Sequence, residues 1–224
     1  MRFPNAGILL DVLRRAAGVC GVLALITETV GWVAGGLAQS GPYSSAADDT
    51  SYLGALTAHN AWVFNQIGDN LTGILVVVVG VAFWLALTPS IVGRIGAGAL
   101  VLAGIGAFLD GLFRLDCRGS VAGCRNDSWH ASAHKMETRF TVVATFAAPL
   151  LLAFAFRRLA EWRDVWLPTL LAVPVAIVAG VLFSFVGDGA ATRATTTTWF
   201  VWLAFVSIRL SRAAMRASPA ASAG

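Results

Sequence analysis

The chain contains several apolar runs long enough to cross a lipid bilayer, and this feature constrains its fold more than any other. A spanning helix needs about 20 mostly apolar residues, and the run "LTGILVVVVGVAFWLAL", residues 71–87, has no charged residue. Of the 224 residues 57% are hydrophobic and 12% are charged, about half the charged fraction of an average soluble domain. The sequence therefore predicts an all-α, polytopic integral membrane protein.

Glycines, prolines and charge clusters divide the apolar sequence into six predicted transmembrane helices, which form one bundle and one domain, residues 1–212. The first helix contains Glu28 and is too long for the apolar core of a cleavable signal peptide, so we expect it to be retained. The small and polar residues 213–224 are expected to form a disordered cytoplasmic tail. The predicted helices span roughly 16–37, 61–87, 91–115, 135–156, 165–187 and 196–212.

The distribution of charge predicts the orientation. Ten of the 16 Lys and Arg residues lie on one side of the membrane if both termini are cytoplasmic, which fits the positive-inside rule and predicts a multi-pass plasma membrane protein. Nine of the 12 acidic residues then fall in outer loops or in the outer halves of helices. The net charge of +4 does not indicate a nucleic-acid partner, because the basic residues are scattered. Polar chemistry is therefore expected in the outer half.

Three acidic residues, Glu28, Asp69 and Asp110, fall inside predicted helices. Charged groups in hydrocarbon usually face a cavity or a partner. At about 100° per residue, His59, Gln66 and Asp69 share one side of helix two, with Asn65 at its edge. Asp110 ends a stripe of small residues on helix three, which favours an inward position.

These positions predict an outward-opening polar pocket lined by Glu28, Asn65, Asp69 and Asp110. The alternative is a purely structural role, in which the same side chains bond across helices or pair with Arg114 and Arg139.

Cys117 and Cys124 bracket six residues in the predicted outer connection between helices three and four. Two nearby cysteines outside the cytoplasm usually form a disulfide, which is the pairing that we predict. The competing pattern joins both cysteines to His130 and His134 as C-x6-C-x5-H-x3-H, a set of four zinc ligands with an unusually long first spacing. Cys20 is expected to be a small, inert residue of helix one.

The three histidines lie at the same predicted rim. His130 and His134 are four residues apart at the start of helix four, with Asp127 or Ser128 as the helix N-cap, and His59 precedes helix two. Three interpretations stay open: a metal site formed by His59, His130 and His134; metal-free acid–base chemistry; or structural capping. We expect no cofactor, with zinc as the alternative.

Successive motifs of the chain resemble a bacterial and archaeal membrane family catalogued as domain of unknown function nine-nine-eight. The motifs are "SYLGALTAHNAWVFNQIGDNLTGIL", "GLFRLDC" and "SWHASAH", and the resemblance extends over nearly the whole chain. Many members have proline where this chain has Arg114. The resemblance implies a six-helix fold and matches the family pattern at Ser51, Leu53, Gly54, Asn65, Gly111, Phe113, Asp116 and His134.

The resemblance directs attention to Asn65, Asp116 and His134, with Asp116 and His134 as a metal-free dyad. The resemblance implies little about function. From the acids, histidines and aromatic residues themselves we predict an enzyme that acts on a lipid or isoprenoid substrate by hydrolysis or by proton-initiated cyclisation. Its candidate catalytic residues are Asp116, His134, Asp110, Glu28 and Asp69, and its candidate substrate-binding residues are Asn65, His59, Arg139 and Trp62.

The alternative functions are a small transporter, a ligand-binding or partner-binding module, or an accessory subunit. The expected partners are the lipid bilayer and a hydrophobic small molecule.

Overall fold

A computed structural model describes residues 6–217 and shows an all-α bundle, as the sequence predicts. Five helical spans are long and apolar enough to cross a membrane, and the last helix, Asp188–Ala217, is the exception. The second of these spans, Val63–Ala86, begins with a π-helical segment, Val63–Leu71, that continues directly into an α-helix. The six helices are α1, Ala6–Leu37; α2, Thr72–Ala86; α3, Ile91–Asp110; α4, Trp129–Arg158; α5, Trp166–Ser184; and α6, Asp188–Ala217.

Helix ends differ from the predicted ends where polar residues lie inside a helix. Helix α4 begins at Trp129 and not at residue 135, because the Ser128 side chain accepts a hydrogen bond from the Ala131 backbone and caps the helix. Helix α6 begins at Asp188 and not at residue 196. The sequence pattern missed its first turns because they are rich in threonine and lie outside the apolar run. It also continues to Ala217, into the predicted tail, and residues 218–224 lie outside the described residues.

The helices form a closed ring in which each packs against the next and α6 packs against α1. One end of the ring carries the connections 38–62, 111–128 and 185–187. There Leu56 donates a backbone hydrogen bond to Leu115, and Ala190 donates one to Ala46. We call this the disulfide end, because it contains Cys117 and Cys124.

The opposite end of the ring is packed with aromatic side chains. Phe156 and Trp162 stack with ring centroids 4.9 Å apart, and Phe83 lies 5.7 Å from Trp162. The Arg209 guanidinium lies over the Trp162 ring and also bonds Asp164. This end therefore closes the interior, and open space remains at the disulfide end.

The π-helical segment changes which side chains of helix two face inward. Its i→i+5 pattern turns less per residue than an α-helix, so the projection at 100° per residue fails there. Asn65, Asp69 and Asn70 are buried, whereas Gln66 is exposed. The predicted common face of Gln66 and Asp69 is therefore wrong.

Glycines set the distance between α2 and α3. A Cβ atom on Gly73 would lie 2.5 Å from the Gly104 carbonyl oxygen, and one on Gly104 would lie 2.7 Å from the Gly73 oxygen. Backbone atoms cannot move aside as a flexible side chain can, so both positions require glycine.

We expect Gly73→Ala and Gly104→Ala each to lower the free energy of unfolding by roughly 1–3 kcal/mol, because they overpack a backbone contact. Gly98→Ala is the matched control on α3, since its Cβ would meet only the Trp84 side chain. Denaturant unfolding in detergent checks this prediction, and equal effects of all three substitutions would contradict it.

Candidate functional site

A cavity of about 450 Å³ lies inside the disulfide end of the ring. Four carboxyl side chains from four successive helical segments line it: Glu28 of α1, Asp69 of the π-helical segment, Asp110 of α3 and Glu137 of α4. The first, second and third of these are the intramembrane acids singled out in the sequence. Asn65 borders a smaller void beside the cavity and donates a hydrogen bond to the Gly54 carbonyl.

The other walls combine threonine hydroxyls with apolar side chains. Helix α5 contributes no lining residue, and Val142 of α4 lines the cavity while 48% of its surface is exposed. Val142 is the lining residue classed as exposed, and we infer that the cavity opens at the side of the bundle next to it. Its threonines are Thr50, Thr72, Thr138, Thr141, Thr145, Thr192, Thr195 and Thr196, and its aromatic residues are Phe64, Phe146, Trp199 and Phe200.

Asp110 and His134 form a close pair beside the cavity. His134 is only 6% exposed, and its Nδ1 lies 2.8 Å from Asp110 Oδ1 and 2.9 Å from the Phe113 carbonyl oxygen. A carbonyl oxygen only accepts hydrogen bonds, so Nδ1 carries the hydrogen. In the neutral ring Nε2 then keeps its lone pair, which makes His134 a candidate base.

Glu137 lies one turn after His134, and its carboxyl group adjoins that of Asp110. Thr138 and Thr141 donate hydrogen bonds of 3.0 and 3.1 Å to the two Glu137 carboxyl oxygens. Asp110, His134 and Glu137 each offer a ligand atom within 4.8 Å of the others. Within residues 6–217 this is the one group of three whose geometry could hold a metal ion.

Asp116 and His130 form a second, separate pair. Asp116 Oδ2 accepts a 3.0 Å hydrogen bond from the Ser128 backbone, and Oδ1 lies 3.7 Å from His130 Nδ1. His130 Nδ1 also lies 2.8 Å from the Arg114 carbonyl oxygen. Hydrogen bonds from the Ser128 side chain and backbone hold the Asp116 pKa below its usual value. The structure thus pairs Asp116 and His134 with different partners and not with each other.

The remaining candidates lie outside the cavity. His59 is exposed, and its backbone, not its ring, bonds the Gln39 side chain. Trp62 is 61% exposed and Arg139 is also exposed. Because the metal-compatible group contains only one of the three histidines, the structure does not assemble the set of His59, His130 and His134.

The predicted disulfide between Cys117 and Cys124 is confirmed. The two sulfurs are bonded to each other, so they are not available as zinc thiolates. Asn126 Oδ1 accepts hydrogen bonds from the Asp116 and Cys117 backbones, which holds together the two ends of the loop that the disulfide closes.

A buried arginine holds part of the α1–α2 connection over the cavity. Arg193 of α6 donates hydrogen bonds to the Ser45 and Asp48 carbonyls at 2.6 and 2.9 Å, and to the Tyr43 hydroxyl at 2.6 Å. Thr192 donates one to Asp49. These hydrogen bonds hold residues 49–51, which line the cavity, in place.

Sequence reasoning missed Glu137 and the threonines of α4 and α6. The signals were present: His134 and Glu137 are spaced i, i+3, and Thr138, Thr141 and Thr145 recur at helical spacing. A polar row of this kind on a helix that crosses a membrane indicates an inward face.

A family model described as "Protein of unknown function (DUF998)" matches residues 19–209. No curated protein and no solved structure matches the chain.

We expect Asp116→Ala to loosen the disulfide loop without disturbing His134, because Asp116 bonds Ser128 and His130 only on the loop side. Since the folded-state pKa of Asp116 is lowered, its stabilising effect is present above the unfolded-state pKa and is lost as the pH falls through the folded-state pKa. Hydrogen exchange of residues 116–131 should therefore be faster in the variant at neutral pH and should converge with the parent in acid. Equal exchange at neutral pH would contradict this role.

Proposed function

The chain belongs to the DUF998 family of proteins of unknown function, and from its site we propose that it is an integral membrane enzyme that acts on a lipid or isoprenoid substrate by acid–base chemistry. One observation carries the proposal: the cavity joins buried and half-buried carboxyl groups to apolar walls, and Val142 in its lining is 48% exposed. Pockets of this mixed character bind the reactive group of a ligand at their polar end and its hydrocarbon at their apolar end.

The Asp110–His134 pair supports hydrolysis best. Asp110, which lines the cavity, and the Phe113 carbonyl orient the His134 imidazole through Nδ1, which leaves Nε2 the lone pair that a general base needs. His134 itself borders the smaller void next to the cavity. Glu137 adjoins Asp110 and can return a proton to a leaving group. In the cyclisation version, Glu28 or Asp69 donates the first proton and the aromatic residues of the cavity stabilise the carbocation.

The proposed location is the plasma membrane, with both termini in the cytoplasm and the disulfide end outside. Two features support this orientation: the excess of Lys and Arg on the side of the termini and the disulfide itself, which persists in oxidising compartments. Substrate would then enter the cavity from the outer leaflet.

A second candidate is a non-enzymatic transporter or ligand-binding module with the same cavity. The π-helical interruption of helix two at Asp69 favours it, because broken helices line the binding sites of many transporters. Conversion of the substrate separates the two candidates, since a transporter or binding module returns the ligand unchanged.

Purified protein incubated with a membrane lipid extract should consume one lipid class, seen by mass spectrometry as loss of substrate and gain of product. We expect His134→Ala and Asp110→Asn to lower this rate roughly 100-fold or more, because each removes part of the acid–base pair. Glu28→Gln distinguishes the two chemistries: it should abolish a cyclisation that Glu28 initiates and leave hydrolysis mainly intact.

His130→Ala is the matched control, since His130 lies four residues before His134 but bonds the loop. It should retain activity close to that of the parent. No change in any lipid, with folded protein, would contradict an enzymatic function on membrane lipids.

A further inference from the structure

The charge of the cavity is one-sided. Among the described residues that line it, five carry a carboxyl group and none is Lys, Arg or His. The five are Glu28, Asp49, Asp69, Asp110 and Glu137. In their ionised form these groups would repel an anionic group such as a phosphate and attract a cation. The α6 wall contributes hydroxyl and aromatic side chains and no acid.

Some of these carboxyl groups already have partners. Asp110 bonds His134, Glu137 accepts from two threonines, and Asp49 accepts from the Ser51 backbone and from Thr192. Asp69 differs: it is only 9% exposed, and its Oδ2 has no hydrogen-bond partner among the described residues. Glu28 Oε2 has none either. Asp69 and Glu28 thus both line the cavity, and each has one buried carboxyl oxygen without a hydrogen-bond partner among the described residues.

Two arginines close to the site bond mainly to the backbone of the loops, although Arg193 Nε has no hydrogen-bond partner among the described residues and the Arg193 charge acts on Glu28. Arg193 bonds the loop carbonyls and the Tyr43 hydroxyl and lies over the Trp32 ring. Arg114 borders the smaller void beside the cavity and bonds the Gly54 and Ala55 carbonyls. Neither donates a hydrogen bond to the free oxygens of Asp69 or Glu28.

The shape and lining of the cavity favour an organic cation over a bare ion. Its volume of about 450 Å³ is in the range of small-molecule pockets, and its aromatic residues are Phe64, Phe146, Trp199 and Phe200. Aromatic faces attract ammonium groups, and aromatic cages recognise quaternary ammonium ligands. Asp69 and Glu28 also lie outside the group of Asp110, His134 and Glu137 that could hold a metal.

We infer that the ligand of this cavity is an amphiphile with an organic ammonium group, which lies against Asp69 and Glu28 while its hydrocarbon chain leaves beside Val142. This inference rests on the proposed function in taking the cavity as the substrate site, and it adds the substrate class. Any phosphate or other anionic group of the ligand lies outside the carboxylate-lined space.

Binding can be measured without turnover, so that this inference and the enzymatic proposal fail separately. Protein in a neutral maltoside detergent is titrated with decyltrimethylammonium, and the fluorescence of Trp199 and the other tryptophans is followed. Decyl sulfate and decanol serve as probes with the same chain length. We expect decyltrimethylammonium to bind at least about tenfold more tightly than decanol, and decyl sulfate to bind more weakly than both.

The double variant Glu28→Gln, Asp69→Asn keeps the shape of both side chains and should remove this preference, so that decyltrimethylammonium and decanol bind alike. We expect the double variant to remain folded in thermal unfolding, because Glu28 Oε2 and Asp69 Oδ2 make no hydrogen bond that the substitutions could break. Asp127→Asn, an exposed acid at the same end, is the control and should bind like the parent.

Equal affinity of the parent for the three probes would overturn the inference. So would a preference for the ammonium probe that survives in the double variant. Binding of Zn²⁺ or Mn²⁺ alone that is lost in His134→Ala, together with no ammonium preference, would assign the carboxyl groups to a metal instead.

Discussion

The arrangement of this bundle depends on one constraint: carboxyl groups that lie among apolar helices need compensation. On insertion scales each charged group at a helix centre costs at least about 2.5–3.5 kcal/mol, and Glu28, Asp69, Asp110 and Glu137 converge on one cavity. The surrounding structure supplies threonine hydroxyls, the His134 ring and open volume. It leaves one oxygen of Asp69 and one of Glu28 without a hydrogen-bond partner among the described residues, and the ammonium group that we propose for the ligand would compensate them.

Several features of the fold shape the cavity at the disulfide end of the molecule. The π-helical segment turns Asn65 and Asp69 inward. The close glycine contact brings α2 against α3 and so limits the distance between Asp69, just before α2, and Asp110 at the end of α3. Arg193 seats the loop whose residues close the cavity. At the other end Phe83, Phe156 and Trp162 pack against one another. The acidic residues thus cluster at the disulfide end of the bundle and the aromatic packing lies at the opposite end.

Much of this could be predicted from the sequence, because length and hydropathy determine the number of helices and the disulfide follows from two close cysteines. Glu28, Asp69 and Asp110 were also found, since acids in apolar runs are conspicuous. The partner of each histidine could not be found: His130 and His134 are one turn apart, and only the path of residues 111–128 places Asp116 beside one and Asp110 beside the other. A π-helix changes the rotation of a helix and leaves no mark in its hydropathy, which is why Gln66 was misplaced.

The most direct test of the account is to identify what occupies the cavity in a native membrane. A photo-crosslinking amino acid at position 142, which lines the cavity, is compared with one at position 143, which is exposed but does not line it. The adducts are identified by mass spectrometry. We expect position 142 to capture one class of ammonium-bearing amphiphile, enriched over position 143 and lost when Asp69 and Glu28 become amides. The same mixture of bulk membrane lipids at both positions would contradict it.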